Sequence, residues 1–171
     1  RLLALQSQMD PHFVYNMLTT IGIMAEEGMR AEIAESVQNM THLLRYISSG
    51  KSSVVTLAEE LEYARRYLGC MKARFREDLS FRVEVPQSIL EVRVPKLIIQ
   101  PIIENTVKYG LASRPPWMVD IRGVEDGEGR WTVSVADNGP GFPAAKLREL
   151  EEQLAARRRA AADASLAISG M

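Results

Sequence analysis

Apolar residues at the start of the chain recur at steps of three and four. Leu2, Leu5, Met9, Phe13, Met17, Ile21 and Met24 mark one stripe, which is the period of an amphipathic helix. Gly28 interrupts it. A second stripe, Ile33, Val37, Met40, Leu44 and Ile47, predicts another helix from about Ala31 to Ser49, and the Ser- and Gly-bearing stretch from Ser48 to Ser53 then reads as a loop. Two helices that are each apolar along one stripe form an antiparallel hairpin that cannot bury both stripes alone. Pairing with a second copy into a four-helix bundle satisfies them.

Thr56 with Glu59 three residues later has the form of a capping box. The helix it opens runs through Leu61, Ala64, Tyr67, Leu68 and Met71 to about Phe75. The period then changes to two: Leu79, Phe81, Val83 and Val85 alternate with polar residues, as in a half-buried strand. Pro95 to Leu111 is again helical in pattern. Trp117 to Val124 and Trp131 to Ala136 predict two strands joined by an acidic loop, Glu125 to Arg130. Pro143 to about Asp163 is a polar helical pattern rich in Ala, Arg and Glu. The expected fold class is α+β, a helical hairpin over 1–53 followed by a layered domain over 54–171.

Composition narrows the function classes. The net charge of −1 leaves no general basic field for nucleic acid, so an anionic ligand must be held by a local site. The single cysteine, Cys70, excludes an internal disulfide framework and fits a reducing compartment. No apolar run reaches the ~20 residues that span a bilayer. The helical pattern already runs at Arg1, and the expectation is of a fragment whose preceding region is missing.

Three constellations carry candidate chemistry. In the first, Gln6 to Asn16, His12 shares a helix side with Leu5 and Met9, and Asn16 lies one turn on, where it could hydrogen-bond one imidazole nitrogen and leave the other free. Pro11 either kinks a continuous helix beside this nucleophile at a cost of ~3 kcal/mol, or stands first in a helix capped by Asp10, with His12 exposed in the first turn. In the second, a helix from Pro95 to Gly110 puts Pro101, Glu104, Asn105 and Lys108 on one arc and Ile99, Ile102, Ile103, Thr106 and Val107 on the other. An Asn oxygen can complete Mg²⁺ coordination, a Lys can neutralise phosphate, and a carboxylate can accept a proton. The same spacing also suits a plain surface helix with a Glu104–Lys108 pair. In the third, Trp131, Val133, Val135 and Asp137 alternate, which would turn Asp137 toward the apolar side of its strand, where it needs a partner. An adenine amino group is one such partner. Gly139 and Gly141 allow close backbone approach to a ligand, and a tight turn of the Asn-Gly type accounts for the same residues.

Taken in this order, the three segments resemble the sensor histidine kinases of the LytS/YesM type. The Gln-x-Gln-x-x-Pro-His-Phe-x-x-Asn phosphoacceptor stretch is matched from Gln6 to Asn16, the N box by Glu104-Asn105-Thr-Val-Lys108-Tyr109-Gly110, and the Asp-x-Gly-x-Gly box by Asp137, Gly139 and Gly141. The stretch Leu57-x-Glu59-Glu60-Leu61, Tyr67 and Arg74-Phe75 also fit the family, and the resemblance covers nearly the whole chain. It implies that His12 takes the γ-phosphoryl group of ATP, that Glu104 polarises the imidazole, and that Asn105 holds Mg²⁺. Lys108 would meet the phosphates, with Tyr109 beside it in the nucleotide site. Asp137 would read adenine, and Gly139 and Gly141 would shape the pocket wall. It further implies the two-layer α/β sandwich shared with gyrase and Hsp90, incomplete at its C-terminus. Ser169-Gly170-Met171 would open the second glycine box, with Gly170 contacting nucleotide and Pro143–Asp163 belonging to the lid. The implied partners are a second copy and a response-regulator aspartate. The implied place is the cytoplasmic side of a membrane-anchored sensor. The alternatives are a dimeric nucleotide-binding module without kinase activity and a gyrase- or chaperone-like ATPase. The latter needs no His12 motif.

Overall fold

The computed structural model describes residues 10–49, 53–127, 129–144, 146–149 and 151–156. Helix α1 spans Pro11–Glu26 and α2 spans Arg30–Ser48, with Gly28 at a positive φ of 76° between them. Strand β1 (Val54–Thr56) leads into α3 (Leu57–Phe75). Then come β2 (Leu79–Glu84), β3 (Arg93–Pro95), α4 (Gln100–Asn105), a π-helical turn over Thr106–Gly110, β4 (Trp117–Glu125) and β5 (Trp131–Asp137).

The helical hairpin, the single central helix and the sheet share one core. Phe13 and Met17 of α1 and Met40, Leu43 and Ile47 of α2 cluster with Leu61, Tyr67, Leu68 and Met71 of α3. The same cluster continues into Leu79, Ile103, Val119 and Ile121. Being covered from both sides, α3 buries an unusually wide arc, from Leu57 to Met71. The predicted capping box is present: Glu59 N–H donates to Thr56 Oγ1 at 3.2 Å, and Thr56 N–H donates to Glu59 Oε2 at 2.8 Å.

The sheet has the order β2-β4-β5, with β2 parallel and β5 antiparallel to β4, while β1 and β3 form a separate antiparallel pair. Residues from Pro140 onward form a second unit, helical at 146–149 and 151–156, with an ion pair between Lys146 and Glu149 at 2.9 Å.

Four expectations need correction. Helix α1 does not run continuously through Pro11 but starts there, the second of the two readings of that residue: Asp10 Oδ1 accepts the His12 N–H at 2.9 Å and caps the helix, and Pro11 stands first, where no amide bond is forfeited. Leu2, Leu5 and Met9 lie outside the described residues. In α2, Val37 and Leu44 are both 47% exposed, and Ser36, Asn39 and Leu43 are buried with Met40 and Ile47. The helix is rotated because Arg66 donates to Asn39 Oδ1 at 3.0 Å, and Gly69 leaves room for the Asn39 amide.

The helix expected from Pro95 begins instead at Gln100. Pro95 pairs with Val54 in β3, and Leu97 has a φ of 64°, which no α-helix accommodates. The carboxylate of Glu60, only 1% exposed, accepts the Leu97 N–H at 2.7 Å and the Ile99 N–H at 3.0 Å. Those amides are therefore satisfied by α3 and not by a preceding helical turn. Ile102, placed on the apolar arc by its spacing, is exposed, whereas Ile99 and Ile103 are buried.

The fourth correction concerns Asp137. It is exposed at the end of β5, so it carries no burial cost of the kind its alternation implies.

Candidate functional site

The capped first turn of α1 holds His12 at the surface, and Asn16 follows one turn later. The Asn16 Nδ2 lies 3.1 Å from His12 Nδ1 and 3.2 Å from Nε2. One amide nitrogen almost equidistant from both ring nitrogens can serve either, so the free nitrogen follows from the tautomer and not from Asn16 alone.

From the opposite wall, α4 and the π-helical turn supply Glu104, Asn105 and Lys108. Glu104 is half-buried and accepts a hydrogen bond from Gln100 Nε2 at 2.6 Å. Its removal from water raises its pKa above the usual carboxylate value, and the nearby Asp10 charge pushes the same way against the Gln100 hydrogen bond. The surface pairing of Glu104 with Lys108 that the spacing allows is absent among the described residues. Lys108 Nζ lies instead 5.2 Å from the Tyr109 ring centroid. The Asn105 side chain is exposed and makes no hydrogen bond among the described residues.

These groups meet in one cavity of about 660 Å³, lined by His12 and Asn16 from α1, Tyr67 and Arg74 from α3, and Glu104, Asn105 and Lys108. The wall is fixed by packing: the buried Phe13 ring stacks on Tyr67 with centroids 4.9 Å apart, immediately beside His12.

The remaining predicted residues lie elsewhere. Tyr109 is exposed on the π-helical turn. Asp137 Oδ1 accepts the Gly139 N–H at 2.9 Å. A Cβ on Gly110 would come within 2.8 Å of the Asp137 carboxyl carbon, and one on Gly139 within 2.3 Å of the Gly110 carbonyl oxygen. Two glycines thus let the end of the π-helical turn abut the turn after β5. Gly141, with φ 68°, belongs to the second unit, and Gly170 lies outside the described residues, as does the proposed glycine-box opening.

Among the described residues no group of three or more His, Cys, Asp or Glu side chains is arranged to hold a metal ion. An Mg²⁺ carried on nucleotide phosphates needs few protein ligands, and the unengaged Asn105 amide on the cavity wall fits that demand.

Sequence reasoning named neither Glu60 nor Arg74 as functional. Glu60 ties α2 to the segment before α4: beyond its two backbone bonds it accepts the Tyr46 hydroxyl at 2.6 Å. Lys96 Nζ caps the end of α2, donating to the carbonyls of Tyr46 at 2.6 Å and Ser49 at 2.7 Å. The signal for Glu60 was a second carboxylate in a first helical turn, on the side that α3 buries.

Comparison with known proteins gives several matches. The family model described as histidine kinase matches residues 1–79. The sensor histidine kinase YesM of Bacillus subtilis is 34% identical over 142 residues, covering 82% of this chain and 24% of its own length. The sensor histidine kinase BtsS of Escherichia coli is 34% identical over 106 residues, 62% of this chain and 19% of its own. The sensor protein kinase HptS of Staphylococcus aureus is 28% identical over 156 residues, 90% of this chain and 29% of its own. The chain thus spans between about a fifth and a third of these relatives' lengths. The solved histidine kinase domain of the Erythrobacter litoralis EL346 blue-light activated histidine kinase aligns over 82% of this chain and 71% of its own, with 17% identity and a TM-score of 0.42.

Proposed function

This chain belongs to the sensor histidine kinases of the YesM/LytS type, and we propose that it uses the shared cavity to transfer the γ-phosphoryl group of ATP to His12. The observation that carries this reading is that His12 and the trio Glu104, Asn105 and Lys108 line one cavity of one chain. In the transfer, the unprotonated imidazole nitrogen forms a bond to the γ-phosphorus. The bond from phosphorus to the β,γ-bridging oxygen breaks, and ADP leaves with its electron pair. Glu104 accepts the proton that the other ring nitrogen gives up. Burial raises its proton affinity above that of an ordinary carboxylate, which favours that acceptance. Lys108 neutralises phosphate charge, and Asn105 would hold Mg²⁺, which would supply further charge neutralisation at the phosphates. Asp137 and the Gly110–Gly139 contact form the adenine end. The chemistry asked of the protein is positioning and charge neutralisation.

In this reading residues 1–53 supply the phosphoacceptor hairpin and 54–171 the ATP-binding part. A second copy covers the exposed apolar residues of the hairpin, among them Leu18, Val37 and Leu44. An aspartate of a response regulator then receives the phosphoryl group on the cytoplasmic side of a membrane-anchored sensor. Among the described residues no helix is long and apolar enough to cross a membrane, so the anchor would lie in another part of the parent protein.

The test is incubation with Mg·ATP labelled at the γ-phosphate, comparing the chain with its His12→Gln variant. Acid-labile label on the chain and none on the variant is the expected result. Label that persists in the variant, or none in either, contradicts the proposal.

A further inference from the structure

We propose that Arg74 is a further catalytic residue, whose guanidinium contacts the phosphoryl group as it passes to His12. This rests on the kinase reading above and assigns a residue that neither the N box nor the phosphoacceptor stretch contains. Arg74 lies in the last turn of α3 and lines the same cavity as His12, Asn16 and Lys108. It also lines the neighbouring cavity of about 330 Å³, where Asn16 is again a wall. Its side chain therefore borders the space on both sides of the residue next to the nucleophile.

Charge argues for the role. The charged side chains lining the main cavity, His12 apart, are Asp10, Glu104, Arg74 and Lys108. Without Arg74 that lining holds two carboxylates against one ammonium, a poor receptor for a triphosphate. With it the lining is balanced, and two cations stand free to meet phosphate oxygens.

Arg74 is also uncommitted. Among the described residues it forms no ion pair, although two carboxylates line its own cavity. Arg76, two positions on, pairs with Glu27, and Arg66, two turns before, pairs with Glu62 at 2.6 Å. Arg74 instead rests its guanidinium 5.0 Å from the Phe75 ring centroid, a contact that orients the plane and leaves its N–H donors available. A guanidinium presents donors in a fixed fork that matches phosphate oxygens, which a lysine ammonium does not.

In the transfer, as His12 nitrogen bonds to the γ-phosphorus and ADP departs with the bridging oxygen, negative charge spreads over the three equatorial oxygens. Arg74 donates hydrogen bonds to these, while Lys108 serves the leaving side. Because the interaction strengthens as charge develops, its loss falls on the rate of transfer more than on ATP affinity.

The experiment measures His12 labelling at saturating Mg·ATP, and ATP affinity separately, for the full chain and its Arg74→Ala and Arg74→Lys variants. Arg74→Ala should label at least ~100-fold more slowly with ATP affinity within ~3-fold, and added guanidinium ion should restore part of the rate. Arg74→Lys should keep the thermal midpoint and still lose most of the rate. Labelling of Arg74→Ala at the unsubstituted rate overturns the proposal, as does a loss of rate in Arg74→Ala that guanidinium does not relieve while Arg74→Lys labels normally. An unsubstituted chain that takes no label overturns the kinase reading itself.

Discussion

Glu104 takes its hydrogen bond from Gln100, one turn before it, at 2.6 Å, and forms no ion pair with Lys108, one turn after it. That choice sets the helix apart from one whose surface is tied by an i,i+4 pair. A Glu104–Lys108 pair would neutralise both groups, whereas the arrangement present leaves the ammonium unpaired among the described residues and the carboxylate partly desolvated, as the proposed transfer requires of them.

Glu104→Gln should therefore keep ATP affinity and lower the His12 labelling rate by about 10²- to 10⁴-fold. The same substitution has a thermodynamic signature. Burial and Asp10 raise the pKa of Glu104 above its ordinary value of 4.5, so the folded state holds this proton more tightly than the unfolded chain. Its stabilising contribution is full below that value and lost as pH rises through the folded-state pKa. Thermal melts at about pH 4 and about pH 7.5 should show the unsubstituted chain losing ground to Glu104→Gln at the higher pH. An unchanged difference between the two would refute the assigned shift.

Glu60 accepts three hydrogen bonds while almost wholly buried. Glu60→Ala orphans the Tyr46 hydroxyl and two backbone amides, each worth about 1–3 kcal/mol. We expect a loss of at least about 3 kcal/mol by urea denaturation. Tyr46→Phe removes one of the three partners, with a loss of about 1 kcal/mol. Equal losses in the two variants would mean that the Leu97 and Ile99 amides do not depend on Glu60.

Gly110→Ala would drive a methyl to within 2.8 Å of the Asp137 carboxyl carbon. We expect a cost of about 1–3 kcal/mol from overpacking and weaker ATP binding by calorimetry. Gly22→Ala is the control: its Cβ meets nothing within 4 Å in the middle of α1, and it should stabilise by about 0.5–1 kcal/mol. Two substitutions of the same kind thus carry opposite signs.

Much of the fold was legible in the sequence because local rules and tertiary packing agree there. The capping box at Thr56, the wide apolar face of α3 and the alternation of β2 all formed as their residues required. The failures share a cause in contacts distant along the chain. Nothing near Leu97 announces a positive φ, since the group that satisfies its amide comes from Glu60. Likewise α2 turns Asn39 inward to meet Arg66 and leaves Val37 and Leu44 outside. Asp137 obeyed the alternation in direction, but β5 ends there without cover. At the cavity, residue types and spacing left His12, Glu104, Asn105 and Lys108 open to plain structural readings, and it was the resemblance carried by the three motifs in order that singled them out. Arg74 was legible only as part of a family-like Arg74-Phe75 pair without a role, because the cavity it lines is assembled from separate helical segments.

Phe13 links the helix that carries His12 to the central helix. Phe13→Ala deletes a buried ring stacked on Tyr67 and should cost about 3–5 kcal/mol. Since hairpin and sheet share one core, circular dichroism and the fluorescence of Trp117 and Trp131 should shift together in one transition. Separate transitions would show that the hairpin folds independently.

The most direct measurement is to map the phosphorylated residue by mass spectrometry at alkaline pH after incubation with Mg·ATP. The chain holds two histidines, His12 and His42, and His42 lies on α2, outside the residues lining the cavity. Phosphate on His12 alone is the predicted result. Phosphate on His42, or a chain that binds ATP and carries none, would contradict the claim that this cavity is a site of phosphoryl transfer.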